Sequence, residues 1–441
     1  MNSALDNRGC RVLFDGTIFR FGLLTTSARS GIFVVASALL EKFRGKKDLS
    51  VDIYCPLDVE DEVRRYFATS PGFESIQLNG LPLSAPIFDF IGRVRYDCPV
   101  PAGGGKVYTV LALAFRMLCR VALVFAHVAR RRFHRRFVRG IRSSYQAYFS
   151  PAFRAPDEIA KSGIRRWTVF YDVIPLIFPD FYASVKRDVK WTEELVRSLT
   201  EEDCGFAISE CTKRDFLRFA PRLNPDSIKT IPLAASDRFY PVEDSDRLDH
   251  VREKYGIPVG RPYFLSICTI EPRKNLIFAL KAFAEFAKAD TDTVFVLAGG
   301  SWDAYKSKWD AALEAVADVR ERIILPGYVS DEDLSPLYSG ARAFICLSIY
   351  EGFGLPPLEA MQCGTPVLSS NSSSLPEVVG DAALTVAPTD LNGVVEAMRR
   401  LAADDSLCAN LRKKGLARAK LFSWDRAVDI IIATLGRKSE R

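Results

Sequence analysis

Short apolar runs alternate with amphipathic helical stretches along most of this chain. That alternation confines it to layered α/β architecture with parallel sheets. Residues 11–15, 51–55, 147–151, 167–174 and 205–209 read as strands, and a second series follows at 262–270, 293–300, 322–329, 343–350, 366–371 and 383–387. Helical stretches lie between them. Residues 31–43 gather their apolar side chains on one broad face, and 184–202 open on Ser184 in the N-cap position. Residues 275–289 and 355–364 follow, the latter with prolines in its first turn and Gly364 past its end. Two αβ units in tandem fit this order, one over 1–235 and one over 250–420. The seam at 231–249 carries two prolines and a charge cluster. Residues 421–441 read as a C-terminal helix packing back on the N-terminal unit.

Composition narrows the class. With 441 residues, 48% hydrophobic and 26% charged, the chain is neither a disordered tail, a collagen-like repeat nor a small disulfide scaffold. Its 10 cysteines form no C-x-x-C pair and it has 3 histidines, which argues against a zinc site. Most cysteines sit in apolar runs, as reduced thiols of a cytoplasmic protein do. The first residues lack a long apolar run, so no signal peptide is expected.

The strongest chemical signal is Glu351-Gly352-Phe353-Gly354-Leu355-Pro356-Pro357-Leu358-Glu359. A strand enters a glycine-rich turn and a helix follows. Gly352 and Gly354 admit close backbone approach, and the helix start offers free N–H groups. Open α/β sheets place ligands at such strand ends. Phosphate suits the amides, and hydroxyls suit Glu351 and Glu359; a sugar nucleotide has both. The bland alternative is a tight turn between two solvated glutamates. The second signal is Glu271-Pro272-Arg273-Lys274-Asn275, where two adjacent cations beside a helix start would neutralise a diphosphate. Its bland alternative is a solvated helix start. Gly103-Gly104-Gly105-Lys106 lacks the first glycine and the Ser/Thr of a P-loop, and reads as a flexible loop.

These motifs resemble those of retaining family-4 glycosyltransferases. EGFGLPPLEAMQCGTPVLSSNSSSLPEVVGDAAL is similar to the family signature, with Glu351 and Glu359 as its E-x7-E pair and Pro376-Glu377 in the next loop. LSICTIEPRKNL resembles the G-T-L-E-P-R-K-N segment, with Cys268 where glycine is usual. AISECTKRDF (207–216) resembles the S-x-x-T-K-x-D segment. FYDVIPLIFPDFY (170–182) resembles the H-D-x-I-P stretch, with Tyr171 in place of histidine, and SGIFVVASALL (30–40) the first-loop G-I-x-R motif, with Val34 in place of arginine. The match runs from about 167 to 426, is weaker in 1–60 and is absent in 61–146.

The resemblance implies an α/β GT-B fold: two Rossmann-like domains with an inter-domain active-site cleft, the acceptor on the N-terminal domain and the donor on the C-terminal one. It implies that Arg273 and Lys274 neutralise the departing diphosphate. Glu351 would face the donor sugar hydroxyls, the amides of Gly352, Phe353, Gly354 and Leu355 would lie near sugar and phosphate, and Glu359 would accept from the ribose. Gly299, Gly300 and Gly327 would edge the base, Ser30 and Gly31 would close under the diphosphate, and Asp172 would lie near the acceptor hydroxyl or sugar O6. The expected reaction is retaining hexosyl transfer, with no metal and no cofactor beyond the nucleotide-sugar co-substrate. No D-x-D follows a strand, and Asp290-Thr291-Asp292 precedes one as a turn. GDP-mannose is the first-choice donor, a UDP- or dTDP-sugar the alternative, and a catalytically inactive GT-B-like binding protein the second alternative. The expected acceptor is a lipid-linked or polysaccharide glycan in cell-surface polysaccharide or lipopolysaccharide synthesis.

Charge adds one more expectation. The formal net charge of +6 conceals a block at 101–150 with Lys106, nine arginines and no acid. Residues 107–128 are long and apolar enough to span a bilayer, but Arg116 and Arg120 interrupt them on one helix face, each costing about 2.5–3.5 kcal/mol at a bilayer centre. Residues 129–142 then interleave phenylalanine with arginine. An apolar face and an Arg-rich face describe a helix lying in an anionic membrane surface. A buried helix followed by a solvated one is the alternative. The docking segment is therefore 107–142, the location peripheral on the inner face of the plasma membrane, and no nucleic-acid partner is expected.

Overall fold

Two sheets organise the chain in this computed structural model, which describes residues 10–22, 31–70, 73, 77–82, 106–183, 186–300 and 305–435. The first sheet contains β1 (Cys10–Asp15), β2 (Leu49–Tyr54), β3 (Gln77–Leu78), β4 (Leu81–Pro82), β5 (Ala147–Ser150), β6 (Arg166–Phe170), β7 (Cys204–Ala207) and β8 (Ile228–Thr230). Its order is β4-β3-β2-β1-β5-β6-β7-β8. The second contains β9 (Tyr263–Ile267), β10 (Val294–Ala298), β11 (Ile323–Gly327), β12 (Ala343–Cys346), β13 (Val367–Ser370) and β14 (Leu384–Val386), in the order β11-β10-β9-β12-β13-β14. β3 and β4 pair antiparallel, and the other described pairings of the two sheets are parallel.

Parallel strands are covered on both faces, so they need continuous apolar runs rather than alternation. β10 is Val-Phe-Val-Leu-Ala with every residue buried. Around the second sheet, Phe264, Leu280, Phe283, Phe295, Ile345, Leu368 and Met398 form one core. In the first sheet Leu13, Tyr54 and Tyr148 pack with Ile141 and Ile159. The order of the second sheet reverses at β9: the chain leaves it towards β10 and β11, then crosses to β12, β13 and β14. Loops after β9 and β12 therefore diverge and leave a crevice at their C-terminal ends.

The chain divides into two compact units. One is drawn from Met1–Val169, Glu202–Cys204 and Ile432–Arg441, the other from Phe170–Glu201 and Gly205–Ile431. Strand positions follow the sequence reading, but several strands stop early. The runs 167–174, 262–270 and 343–350 continue past Phe170, Ile267 and Cys346 as loops, and those loop residues line the site below. The short β3–β4 pair and β8 had no apolar run to announce them. Ser184 and Gly103–Gly105 lie outside the described residues.

The basic block departs from expectation more. Its apolar and arginine-rich stretches form one 39-residue helix, Lys106–Ser144. Arg130 is buried, not surface-exposed: it pairs with Glu60 at 2.8 Å and Asp61 at 3.3 Å, and donates to Leu57 O at 3.2 Å. It anchors the helix to its own unit and is no part of a docking face. The side chains of Arg116 and Arg120 lie outside the described residues. Among the described residues no helix is long and apolar enough to cross a membrane. The described cysteines, eight of the ten, are free thiols.

Candidate active site

The chain leaves β9 and closes a 3-10 turn, Pro272–Lys274. Asn275 follows with φ 59°, in the left-handed region where asparagine is tolerated, and the helix Leu276–Phe286 begins. Asn275 Nδ2 donates to Leu347 O at 3.1 Å and to Pro388 O at 2.8 Å. The Ile349 N–H donates to Arg273 O at 2.7 Å. These bonds fasten the cationic turn to the loop that follows β12 and to the segment after β14.

Glu351 sits in that second loop and is 7% exposed. Lys274 Nζ donates to its Oε1 at 2.6 Å, Ser348 Oγ to the same oxygen at 2.7 Å, and the Arg273 guanidinium pairs with Oε2. Arg273 also pairs with Glu271 at 2.8 Å. Burial pushes the Glu351 carboxyl up, but Arg273 and Lys274 outweigh it and hold the group at about 2. Burial pulls Arg273 down, and Glu351, Glu271 and Asp172 together raise it above its ordinary value. Glu351 and Arg273 are thus both ionised at neutral pH, with Arg273 and Lys274 side by side at a strand end.

Glycine is required at position 352. A Cβ there would stand 2.6 Å from Tyr171 O and 3.1 Å from Asp172 Cβ. The loop after β6 therefore packs directly on the glycine turn. Asp172 Oδ1 accepts from the Ile174 N–H at 3.1 Å. Burial raises its carboxyl, opposed by Arg273 and by that N–H. The structure accordingly brings Asp172, Arg273, Lys274, Glu351 and Gly352 together.

The carbonyls of the turn are all tied back. Glu351 O and Phe353 O accept from Ser374 Oγ at 2.8 and 2.7 Å. Gly352 O accepts from Ser209 Oγ at 2.7 Å and Thr212 Oγ1 at 3.1 Å. The Glu351 N–H donates to Ser373 Oγ at 2.9 Å. Among the described residues no protein acceptor is recorded for the amides of Gly352, Phe353 and Gly354. Carbonyls held on one side leave amides for the other, which is how a nest for an anion is made.

Glu359 lies in the helix Leu355–Gln362 and accepts from Tyr338 Oη at 2.9 Å. Burial raises its carboxyl to about 7, against that bond and the charge of Arg238. Gly299 has φ 127°, and a Cβ there would meet Cys268 O at 2.1 Å. Its N–H donates to Gly327 O at 2.7 Å, and the Ile270 N–H donates to Gly300 O at 3.0 Å. Those three glycines thus gather beside the β9 loop. Gly31 begins the helix Gly31–Arg44 of the other unit, and Ser30 lies outside the described residues. Among the described residues no group of three His, Cys, Asp or Glu side chains is placed to hold a metal. Asp290 Oδ1 accepts from the N–H groups of Asp292 and Thr293 at 3.1 and 2.8 Å, so Asp290-Thr291-Asp292 is a turn.

Several residues of the site carried no role in the sequence reading. Ser373 and Ser374 hold the glycine turn, and Ser370 and Ser372 hold Ser348 O at 2.6 and 3.0 Å. Their signal was a serine-rich run directly after a strand. Ser209 and Thr212 belong to the 207–216 motif, whose role emerges only here. Glu377 accepts from the N–H groups of Glu210 and Cys211 at 2.7 and 2.8 Å, closing the same clasp from the other side.

The chain is similar to several known proteins. Residues 249–418 match the model of the family described as glycosyl transferases group 1. O-antigen chain mannosyltransferase B of Escherichia coli is 34% identical over 281 residues, covering 63% of this chain and 71% of that protein. Serotype-specific mannosyltransferase WbdA of E. coli is 30% identical over 269 residues, covering 60% of this chain and 32% of that protein. The chain therefore spans only about a third of WbdA. Among solved structures, Anabaena HepE in complex with UDP-glucose superposes with TM-score 0.61 at 13% identity, covering 96% of this chain and 98% of that one.

Proposed function

The chain belongs to the glycosyl transferases group 1 family, has the α/β GT-B fold and is a glycosyltransferase, and from that premise we propose that it is a family-4 enzyme moving a mannosyl residue from GDP-mannose to a glycan with retention of configuration. One observation carries the reading: the cluster of Arg273 and Lys274 on the buried Glu351 lies beside a turn whose carbonyls are tied back. Arg273 and Lys274 take up the charge of the leaving diphosphate, and the amides of Gly352–Leu355 complete its cradle. Glu351 accepts from sugar hydroxyls and Glu359 from the ribose. Gly299, Gly300 and Gly327 border the base. The names of the E. coli relatives support mannose and an O-antigen type of acceptor, in polysaccharide synthesis, and the UDP-glucose bound to HepE supports a nucleotide-sugar donor.

In the proposed step the C1–O bond to the diphosphate breaks, with its electron pair going to the phosphate oxygen. The acceptor oxygen bonds C1 on the same face, and its proton passes to that phosphate oxygen. Asp172 lies beside the reacting centre and orients the acceptor hydroxyl or sugar O6. Two protein cations supply the charge a metal would bring, so turnover is metal-independent. Nucleoside diphosphate release from GDP-, UDP-, dTDP- and ADP-sugars tests this with wild type, Glu351→Ala and Lys274→Ala. GDP release from GDP-mannose, lost in both variants and unchanged by EDTA, is expected. Preference for a UDP- or dTDP-sugar would replace the donor. Loss in EDTA restored by Mn²⁺ would overturn the metal-free step.

A further inference from the structure

The helix Lys106–Ser144 carries two chemistries in succession along one exposed face. At about 100° per residue, Met117, Val124, Phe125 and Val128 share an arc about 100° wide. Arg132, Arg135, Arg139 and Arg142 fall on the same arc, one stretch further along, with Arg131 and Arg136 about 20° beyond its two edges. Met117 and Phe125 are each 70% exposed and Val124 is 62% exposed. The six arginines are exposed as well. The opposite face holds the buried Ala126, Arg130, His134 and Ile141. Apolar and basic residues are thus not on opposing faces, as the sequence suggested. They follow one another along the axis, over about 16 Å each.

The arginine half has its own concavity. Arg132, Arg135, Arg136 and Arg139 line one surface pocket with no acid among them. Among the described residues, Arg131, Arg132, Arg135, Arg136 and Arg139 form no ion pair. A site walled by guanidinium groups suits phosphate oxygens, which arginine binds in bidentate fashion. An exposed apolar stretch continuing directly from it suits acyl chains.

We propose that this face docks on an anionic lipid bilayer with the helix tilted: Val124, Phe125 and Val128 enter the acyl region while Arg132, Arg135, Arg136 and Arg139 seat lipid phosphates. The proposal rests on neither the donor site nor the sugar. A helix lying flat would need its apolar and basic residues on opposite faces, and those described here are not so placed.

Flotation of the full chain with phosphatidylglycerol-containing and pure phosphatidylcholine vesicles tests it. Wild type should float with the anionic vesicles at low salt and much less with the neutral ones. Replacing Arg132, Arg135, Arg136 and Arg139 by Gln should weaken anionic partitioning by about a hundredfold or more, at about fivefold per charge near the surface. Val124→Ser with Phe125→Ser should retain binding at low salt and lose the part that survives high salt. All six positions are exposed, and unchanged thermal unfolding confirms that the variants fold. Arg130 is left intact because its buried ion pair holds the unit together. Equal flotation of wild type and the arginine variant overturns the docking. Equal salt resistance of wild type and the serine variant overturns the tilted insertion. Tighter binding to single-stranded RNA than to anionic vesicles replaces the bilayer with a nucleic acid.

Discussion

Glu351 pairs with the same two cations that the proposed reaction needs for diphosphate. Removing its charge leaves Arg273 and Lys274 crowded in a buried site, and breaking such a pair costs about 3–5 kcal/mol. Glu351→Gln should therefore lower the unfolding temperature, and the nucleoside diphosphate product should raise it again more than it does for wild type. Thermal unfolding with and without the product checks this; equal shifts would mean the cations do not face the diphosphate. Glu359 gives a second prediction at this scale. Its carboxyl lies at about 7 against an unfolded value of 4.5, so its contribution to stability is full below 4.5 and fades as pH rises through about 7. The ionised form is the better acceptor for ribose hydroxyls. Donor affinity should rise between pH 6 and 8, and Glu359→Gln should flatten that rise in calorimetry. The Glu351 carboxyl is held low, so its contribution is present above 4.5 and lost as pH falls through about 2.

At the scale of elements, the turn after β12 depends on segments far away in sequence. Ser209 and Thr212 stand at the start of the helix Glu210–Phe219, yet their hydroxyls hold Gly352 O. Ser209→Ala with Thr212→Val should leave that buried carbonyl unpaired, costing about 1–3 kcal/mol. The expected signature is a raised KM for donor together with a lowered kcat, rescued by the Ser209→Thr and Thr212→Ser exchanges. A drop in unfolding temperature with unchanged kinetics would make the clasp merely structural. Much of the candidate site's geometry was legible in sequence, because strand-to-helix junctions with glycine or adjacent cations stand out by local chemistry. That Arg273, Lys274 and Glu351 come together was foreshadowed by their places in these two junctions. The role of the serine run was not: a hydroxyl declares its acceptor only when the chain is folded. The strand lengths were overread for a related reason. Apolar residues such as Leu347 and Val173 are buried beside the strands without joining a ladder. The helix Lys106–Ser144 was legible as helix, but which arginine turned inward depended on Glu60, seventy residues earlier.

At the scale of the molecule, charge and stability are distributed separately. The Arg130–Glu60 pair fastens the long helix within the first unit, with both side chains nearly buried. Arg130→Ala should destabilise that unit by about 3–5 kcal/mol. Hydrogen exchange should report it as faster exchange in the first unit's strands with little change in β9–β14. The nucleoside diphosphate should produce the complementary pattern, protecting the loops after β9 and β12 in the second unit. Protection of the first unit alone would contradict the assignment of Arg273 and Lys274.

The strand order of the second sheet has a practical consequence for engineering. The Arg273–Lys274–Glu351 cluster hangs from β9 and β12, which are neighbours, so its spacing is set by the ladder itself. Gly299 and Gly300 follow β10 and Gly327 ends β11, on the other flank. On the proposed reading, reactivity and recognition of the nucleobase are thereby carried on separable modules. Loops grafted from a relative with another donor after β10 and β11 should re-address the enzyme to a new sugar nucleotide, with its bond-breaking machinery left in place.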